Sequence, residues 1–246
     1  MEDVGTVLEQ YKKLEKKMDT FDNPVVNVLK SIVDKYIPIP IDAVMDPIHA
    51  LLRKDYEKKE GILFEAIIKD DKITLKDIQD VKVIIEFIKL YKVAMHVTNN
   101  EKLQFLGNLF RNSVLDDEQN TNKYEEYEEF LERINMLSYR ELQILAYLRK
   151  CGDKVPHIIN VTPDVQEETE EQNKYISTQV DQAEAWKYFK NNCVNELKLN
   201  YDIIFSILVG TERSGFCFHW DELYPGESNK VFYTTTYFER FIDKIK

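Results

Sequence analysis

The chain carries four histidines and three cysteines, and in one place only do the two kinds of side chain stand close together. In Cys217-Phe218-His219 the thiol and the imidazole are two residues apart. On a strand they share a face, and both could ligate one metal ion, with Cys193 or Asp221 as further ligands. The other reading is a half-buried strand, with Cys217 and His219 on one face and Phe216, Phe218 and Trp220 on the other. The second is preferred, since neither H-E-x-x-H nor C-x-x-C accompanies the fragment and His49, His96 and His157 are scattered along the chain. Adjacent acids occur at Asp70-Asp71, Asp116-Asp117-Glu118 and Asp221-Glu222. Catalytic carboxylates are held in a cleft with separated pKa values, whereas these pairs fall in predicted loops and read as solvated surface. Asn108, Arg111 and Asn112 gather at one end of a predicted helix, either as a polar site or, preferably, as donors to local helix-end carbonyls. There is no Walker A sequence, no glycine-rich dinucleotide turn and no G-x-S-x-G elbow. The residues imply no catalytic group, no metal and no cofactor.

The elements that would position these side chains are helices for most of the chain. Glu129–Lys150 is the organising stretch: a helix ends near Asn135, and Ser138 with Glu141 forms a capping box for the next, flanked by Leu137 and Leu142 as a hydrophobic staple. Upstream, residues 3–19 have helical spacing with many charges. Asn23-Pro24 and Asp46-Pro47 are cap-plus-proline starts separated by the turn Ile37-Pro38-Ile39-Pro40. The second helix extends to about Lys69 on a stripe of Ile48, Leu51, Leu52, Tyr56, Ile62, Leu63, Ala66 and Ile67. Thr74 with Asp77 is expected to cap a helix over Leu75–Val97, apolar on more than one stripe (Ile78, Val81, Ile84, Ile85, Phe87 and onward) and so central in a bundle. Thr98 with Glu101 is expected to cap Lys102–Val114, and Tyr124–Asn135 follows with five glutamates mostly outward.

Downstream of Ser138 the pattern changes. A helix to Arg149 or Lys150 is followed by an acidic insertion at about 153–177, then a helix over Asp181–Leu199 with Ala185, Trp186, Phe189, Cys193, Val194 and Leu197 as core. Asn200 caps Tyr201–Val209. Two strands, Gly215–Trp220 and Lys230–Thr234, flank a Pro225-Gly226 loop, and Thr236 with Glu239 caps a closing helix. Three helices, a β-ribbon and a final helix are the order of a winged helix-turn-helix. The expected fold is therefore mainly α with a small β-ribbon: a helical bundle over 1–136 and a winged-helix-like domain over 137–246.

Composition bounds the function. With 43% hydrophobic and 31% charged residues the chain supports a packed core. A net charge of −11 argues against indiscriminate binding to nucleic acid or anionic membrane. No run reaches the roughly 20 apolar residues of a spanning helix. An odd cysteine count without a basic, then apolar, leader fits a reducing cytoplasm.

Four stretches, Ile37–Pro40, Thr98–Ser113, Phe130–Leu145 and Glu212–Phe216 with its ribbon and Thr236…Phe241-Ile242, together resemble a loose group of uncharacterised bacterial and phage-borne helical proteins, some associated with abortive infection. The resemblance implies an architecture and a phage-defence or mobile-element setting, and no catalytic residue. Within the expected recognition helix, YDIIFSILV, there is no cation, and from Glu132 onward 18 acidic residues face 14 basic ones. Direct base readout uses Arg, Lys, Asn or Gln from this helix. The favoured reading is thus a non-enzymatic interaction or regulatory protein that binds a protein partner or a second copy of itself. Tyr201, Arg213, Tyr224 and Lys230 are the candidate partner-binding residues, with Phe232 and Tyr233 as further exposed aromatics of the wing. The alternative is a DNA-binding regulator relying on Arg213 and Lys230. A metal-dependent nuclease effector is a third reading, motivated only by the abundance of carboxylates.

Overall fold

The computed structural model describes residues 23–36, 47–69, 74–116, 121–154, 170–224 and 227–246. The expectations for residues 3–19 and Ile37–Pro40 lie outside these. The chain is mainly helical with one small two-stranded antiparallel sheet. It divides into two compact units, the first Met1–Asn135 with Lys244–Lys246, the second Met136–Asp243.

The first unit begins with α1 (Pro24–Tyr36), whose free N-terminal donors meet Asn23: Val25 N–H donates to Asn23 Oδ1 at 2.9 Å. Helix α2 spans Pro47–Ile68 and buries Ile62, Leu63, Phe64, Ala66, Ile67 and Ile68. The next helix, α3, starts at Val81 rather than Leu75 and ends at His96. The Asp77 carboxylate accepts from both Thr74 N–H and Thr74 Oγ1 at 2.7 Å, which closes a separate turn. The cap is Asp80, in extended backbone, accepting from Lys82 N–H at 2.9 Å. Nor is α3 covered all round: Val81 is 67% and Ile85 47% exposed. Helix α4 (Asn100–Phe110) is capped by Asn99, one residue later than expected, and passes into a π-turn over Arg111–Leu115. Helix α5 (Lys123–Met136) turns Tyr127, Phe130, Leu131 and Ile134 inward.

One ring from each of four helices builds the centre of this unit. Phe64 stacks on Phe87 at 6.2 Å between centroids, and Phe87 meets Phe110, and Phe110 meets Tyr127, edge-on at 5.9 Å. Gly107 on α4 lies against α2 so closely that a Cβ there would come within 2.5 Å of Ala66 Cβ and 2.9 Å of the Leu63 carbonyl oxygen. Nearby, Lys59 is buried and donates to the Met95 carbonyl at the end of α3 at 2.9 Å. Tyr91 donates its hydroxyl to Glu60, whose carboxyl is pushed above the ordinary range chiefly by burial, with the Tyr91 hydrogen bond acting against that rise.

The second unit opens with α6 (Tyr139–Gly152). Its capping box is formed: Glu141 N–H donates to Ser138 Oγ at 3.2 Å, and Ser138 N–H to Glu141 Oε2 at 2.6 Å. Leu137 and Leu142 are both buried beside it. Helix α7 spans Glu170–Leu197, so its first turns occupy part of the stretch expected as an insertion. Ala185, Trp186, Phe189 and Cys193 are buried, whereas Val194 is 43% exposed. Asn200 caps α8 (Tyr201–Thr211), followed by a 3₁₀ turn, Glu212–Ser214, that ends on Gly215 with a left-handed φ of 70°. Strands β1 (Cys217–Tyr224) and β2 (Glu227–Thr234) take in most of the stretch expected as a loop between 221 and 229, and they pair with His219 opposite Phe232 and Asp221 opposite Lys230. The closing helix α9 (Thr236–Ile245) is capped by Thr235, not Thr236. Thr235 accepts from Phe238 N–H at 3.2 Å while its own N–H reaches the Phe216 carbonyl at 3.0 Å. Phe232 is 1% exposed, packed between Trp186 and Phe205, so it belongs to the core and not to an aromatic surface of the ribbon. All three cysteines are buried and unpaired.

Three outcomes follow, two for the first unit and one, at Gly152, for the second. Gly107→Ala overpacks the α2–α4 contact and lowers the urea-unfolding free energy by about 1–3 kcal/mol. Gly152→Ala, where a Cβ meets nothing within 4 Å, is neutral or stabilising by up to about 1 kcal/mol. Because Glu60 binds its proton more tightly folded than unfolded, its contribution is fully present below the ordinary glutamate value and is lost as the pH rises through the raised folded value. Glu60→Gln therefore flattens the fall of melting temperature in that window, read by thermal unfolding across a pH series.

Candidate protein-interaction face

Helix α8 is apolar almost all the way round. Ile203, Ile204, Phe205, Ile207, Leu208 and Val209 are more apolar residues than one buried stripe can take. At helical spacing Ile204, Leu208 and Thr211 turn inward, and the opposite side carries Asp202, Ile203, Ser206 and Val209. Ile203 stays 47% and Val209 41% exposed. Asp202, Ile203, Ser206, Ile207 and Gly210 line a shallow groove with Glu141 of α6 on its wall. The surplus of apolar residues was visible in the sequence, but which of them faces solvent depends on how α8 rotates against its neighbours.

The charges around this face are few. Arg213 donates to Glu141 at 2.7 Å, to the Met136 carbonyl at 3.1 Å and to the Gly210 carbonyl. Burial pushes the Glu141 carboxyl up, but the Ser138 backbone N–H and the Arg213 guanidinium outweigh it and hold Glu141 below its usual range. Arg213 thus fastens the end of α8 to the start of α6. Tyr201 is half-buried at the other end of α8 with its ring tilted against Phe205 at 6.3 Å. Lys230 is half-buried on β2, opposite Asp221. The Tyr224 side chain lies outside the described residues. No hydrogen bond or ring contact joins any two of Tyr201, Arg213 and Lys230, so they are separate positions and not one constellation.

The Cys217–His219 fragment is engaged inside the unit. Cys217 Sγ lies 3.0 Å from Thr211 Oγ1, and burial pushes its thiol up to about 11, which keeps it protonated at neutral pH. His219 Nδ1 lies 2.5 Å from Glu212 Oε1, with its ring against Phe232 at 5.3 Å. On the other face of the strand Phe218 is 46% exposed. Among the described residues no group of three or more His, Cys, Asp or Glu has the geometry of a metal site.

Asn108, Arg111 and Asn112 satisfy carbonyls, but distant ones. Asn108 Nδ2 donates to the Ile245 and Lys246 carbonyls at 2.9 and 3.1 Å, Asn112 Nδ2 to that of Lys244 at 2.8 Å, and Arg111 to that of Ala66 at 3.1 Å. A further groove in the first unit, between α3 and α5, is lined by Glu125, Glu128, Glu129 and Glu132 together with Lys89. Lys89 bridges the buried Glu86 at 2.9 Å and Glu128 at 2.6 Å. Burial pushes the Glu86 carboxyl up, while the Lys89 hydrogen bond holds Glu128 below its usual range. This is an acidic helix face with an internal counter-ion.

Arg213→Ala removes the guanidinium from two carbonyls and from Glu141, which keeps the Ser138 N–H, and lowers unfolding stability by about 1 kcal/mol, the scale of a partly exposed charged hydrogen bond. Arg213→Lys does not restore it, because an ammonium lacks the planar fork that reaches several acceptors at once. Urea unfolding of both variants checks this.

Compared with protein-family models, with curated proteins and with solved structures, the chain matches none.

Proposed function

We propose that the chain is a non-enzymatic interaction or regulatory protein and that its second unit is a winged helix-turn-helix turned to protein contact. The order of α6, α7, α8, β1, β2 and α9 supports the winged-helix reading. The observation that carries the functional reading is the solvent face of α8. In a winged helix this is the surface that would enter the DNA major groove, and here it presents Asp202, Ile203, Ser206 and Val209. DNA readout at that position needs donors and cations. Arg213, the nearest cation, lies beyond the end of α8 in the 3₁₀ turn and is paired with Glu141, while the helix itself carries Asp202 and no cation. An exposed apolar strip edged by an acid is the composition of a protein–protein contact. Among the described residues no helix is long and apolar enough to cross a membrane.

The test places a photo-crosslinking amino acid at Ile203 in the host cell and, in parallel, measures retention of random-sequence DNA at low salt. The expected result is a crosslink to protein and no retained DNA. Retention that weakens steeply with salt and is lost on Lys230→Ala would overturn the proposal in favour of a DNA-binding regulator.

A further inference from the structure

The solvent face of α8 is complementary to itself. Asp202, Ser206 and Gly210 follow one another along it at steps of about one turn, with Ile203 and Ile207 beside them and Arg213 in the 3₁₀ turn beyond. The acid stands at one end and the cation at the other. Asp202 is exposed, and Arg213 remains 46% exposed while it holds Glu141, so its outer edge is open to a second carboxylate. Between them lie two isoleucines, one of them 47% exposed. The small residues Ser206 and Gly210 let another helix approach closely. Among the described residues a Cβ on Gly210 would meet the Arg213 guanidinium, at 3.3 Å, and no other side chain within 4 Å.

Two such helices laid parallel would set Asp202 against Asp202, a like-charge pair in an apolar contact. Laid antiparallel about a two-fold axis beside Ile207, midway between positions 202 and 213, each Asp202 comes within side-chain reach of the Arg213 of the other copy, with Ile207 at the centre and Ile203 flanking it. That is the geometry of an isologous interface, in which the same patch serves both partners. The rest of the surface favours this one patch, because a chain of net charge −11 repels itself wherever acids face acids. We infer that a second copy of this chain packs antiparallel on α8, joined by reciprocal Asp202–Arg213 pairs around a core of Ile203 and Ile207. The inference rests on reading α8 as a protein-contact face, and it names the partner. One helix of 11 residues from each copy makes a small interface, below the roughly 1,200 Å² of tight complexes, so the dimer forms and dissociates with concentration.

Sedimentation velocity over about 1 to 100 µM tests it. The wild-type chain should move from monomer to dimer across that range. Ile203→Glu should remain monomeric throughout with an unchanged melting temperature, since the side chain is exposed in the monomer. Ser206→Cys should give a disulfide-linked dimer with copper–phenanthroline as oxidant, while the wild-type chain, whose three cysteines are buried, gives none. A wild-type chain that stays monomeric at the highest concentration overturns the inference, as does a dimer that Ile203→Glu leaves intact. If the purified chain is monomeric while the crosslinker at Ile203 captures a different protein in cells, the second-copy assignment fails and the protein-contact reading stands. If it captures no protein at all, both fail.

Discussion

The first unit depends on how closely α2 and α4 approach at Gly107. With the glycine hydrogen in place of a methyl group, the α4 backbone settles against Ala66 and the Leu63 carbonyl. That approach places Leu103, Leu106 and Phe110 deep enough to be fully buried and carries Phe110 into the ring chain with Phe87 and Tyr127. Close to it, Arg111 reaches the Ala66 carbonyl, adding a polar tie to a contact that is otherwise steric. The α-helix widens into the π-turn directly after Phe110. Such a turn shifts the faces that follow it, and here Asn112 comes to bear on the carbonyl of Lys244. A single residue with no side chain thus sets the spacing on which aromatic packing and buried hydrogen bonding both rely.

The second unit is organised differently, around a corner where several backbone ends meet. Ser138 and Glu141 satisfy the start of α6, and the same Glu141 receives Arg213 from beyond the end of α8. Thr235 links the end of β2 to Gly215 and Phe216 while capping α9. Arg149 on α6 pairs with Glu239 on α9. Each of these side chains ties two segments of the unit together where an element begins or ends. The aromatic residues then fill the space those ties enclose, with Trp186, Phe189, Phe205 and Phe232 in one cluster and Phe216, Phe238 and Phe241 in another.

What the sequence made legible follows from locality. The Ser138–Glu141 box, the Asn23 and Asn200 caps, and the alternation that sets β1 and β2 all involve residues a few positions apart, so their chemistry is written in consecutive letters. The errors of one residue at Asn99 and Thr235, and of several at Val81, arose where two capping residues stood side by side or a carboxylate closed a turn of its own. Ile85, Val81 and Val194 were expected in the core because apolar type alone cannot say which side of a helix is covered. For the candidate face the sequence showed an acidic, cation-free α8, whereas the role of Arg213 as a clamp on Glu141 joins positions 72 residues apart and has no local signature. The carbonyls held by Asn108 and Asn112 are more distant still.

The three buried cysteines have a practical consequence. All of them, Cys151, Cys193 and Cys217, belong to the second unit, and the first contains none. Their thiols are raised above the ordinary range by burial, so a thiol reagent reacts only when the second unit opens and exposes them. The chain therefore carries its own reporters. The rate at which a maleimide or disulfide reagent consumes the thiols measures the opening of the second unit, with the first unit silent in the same experiment.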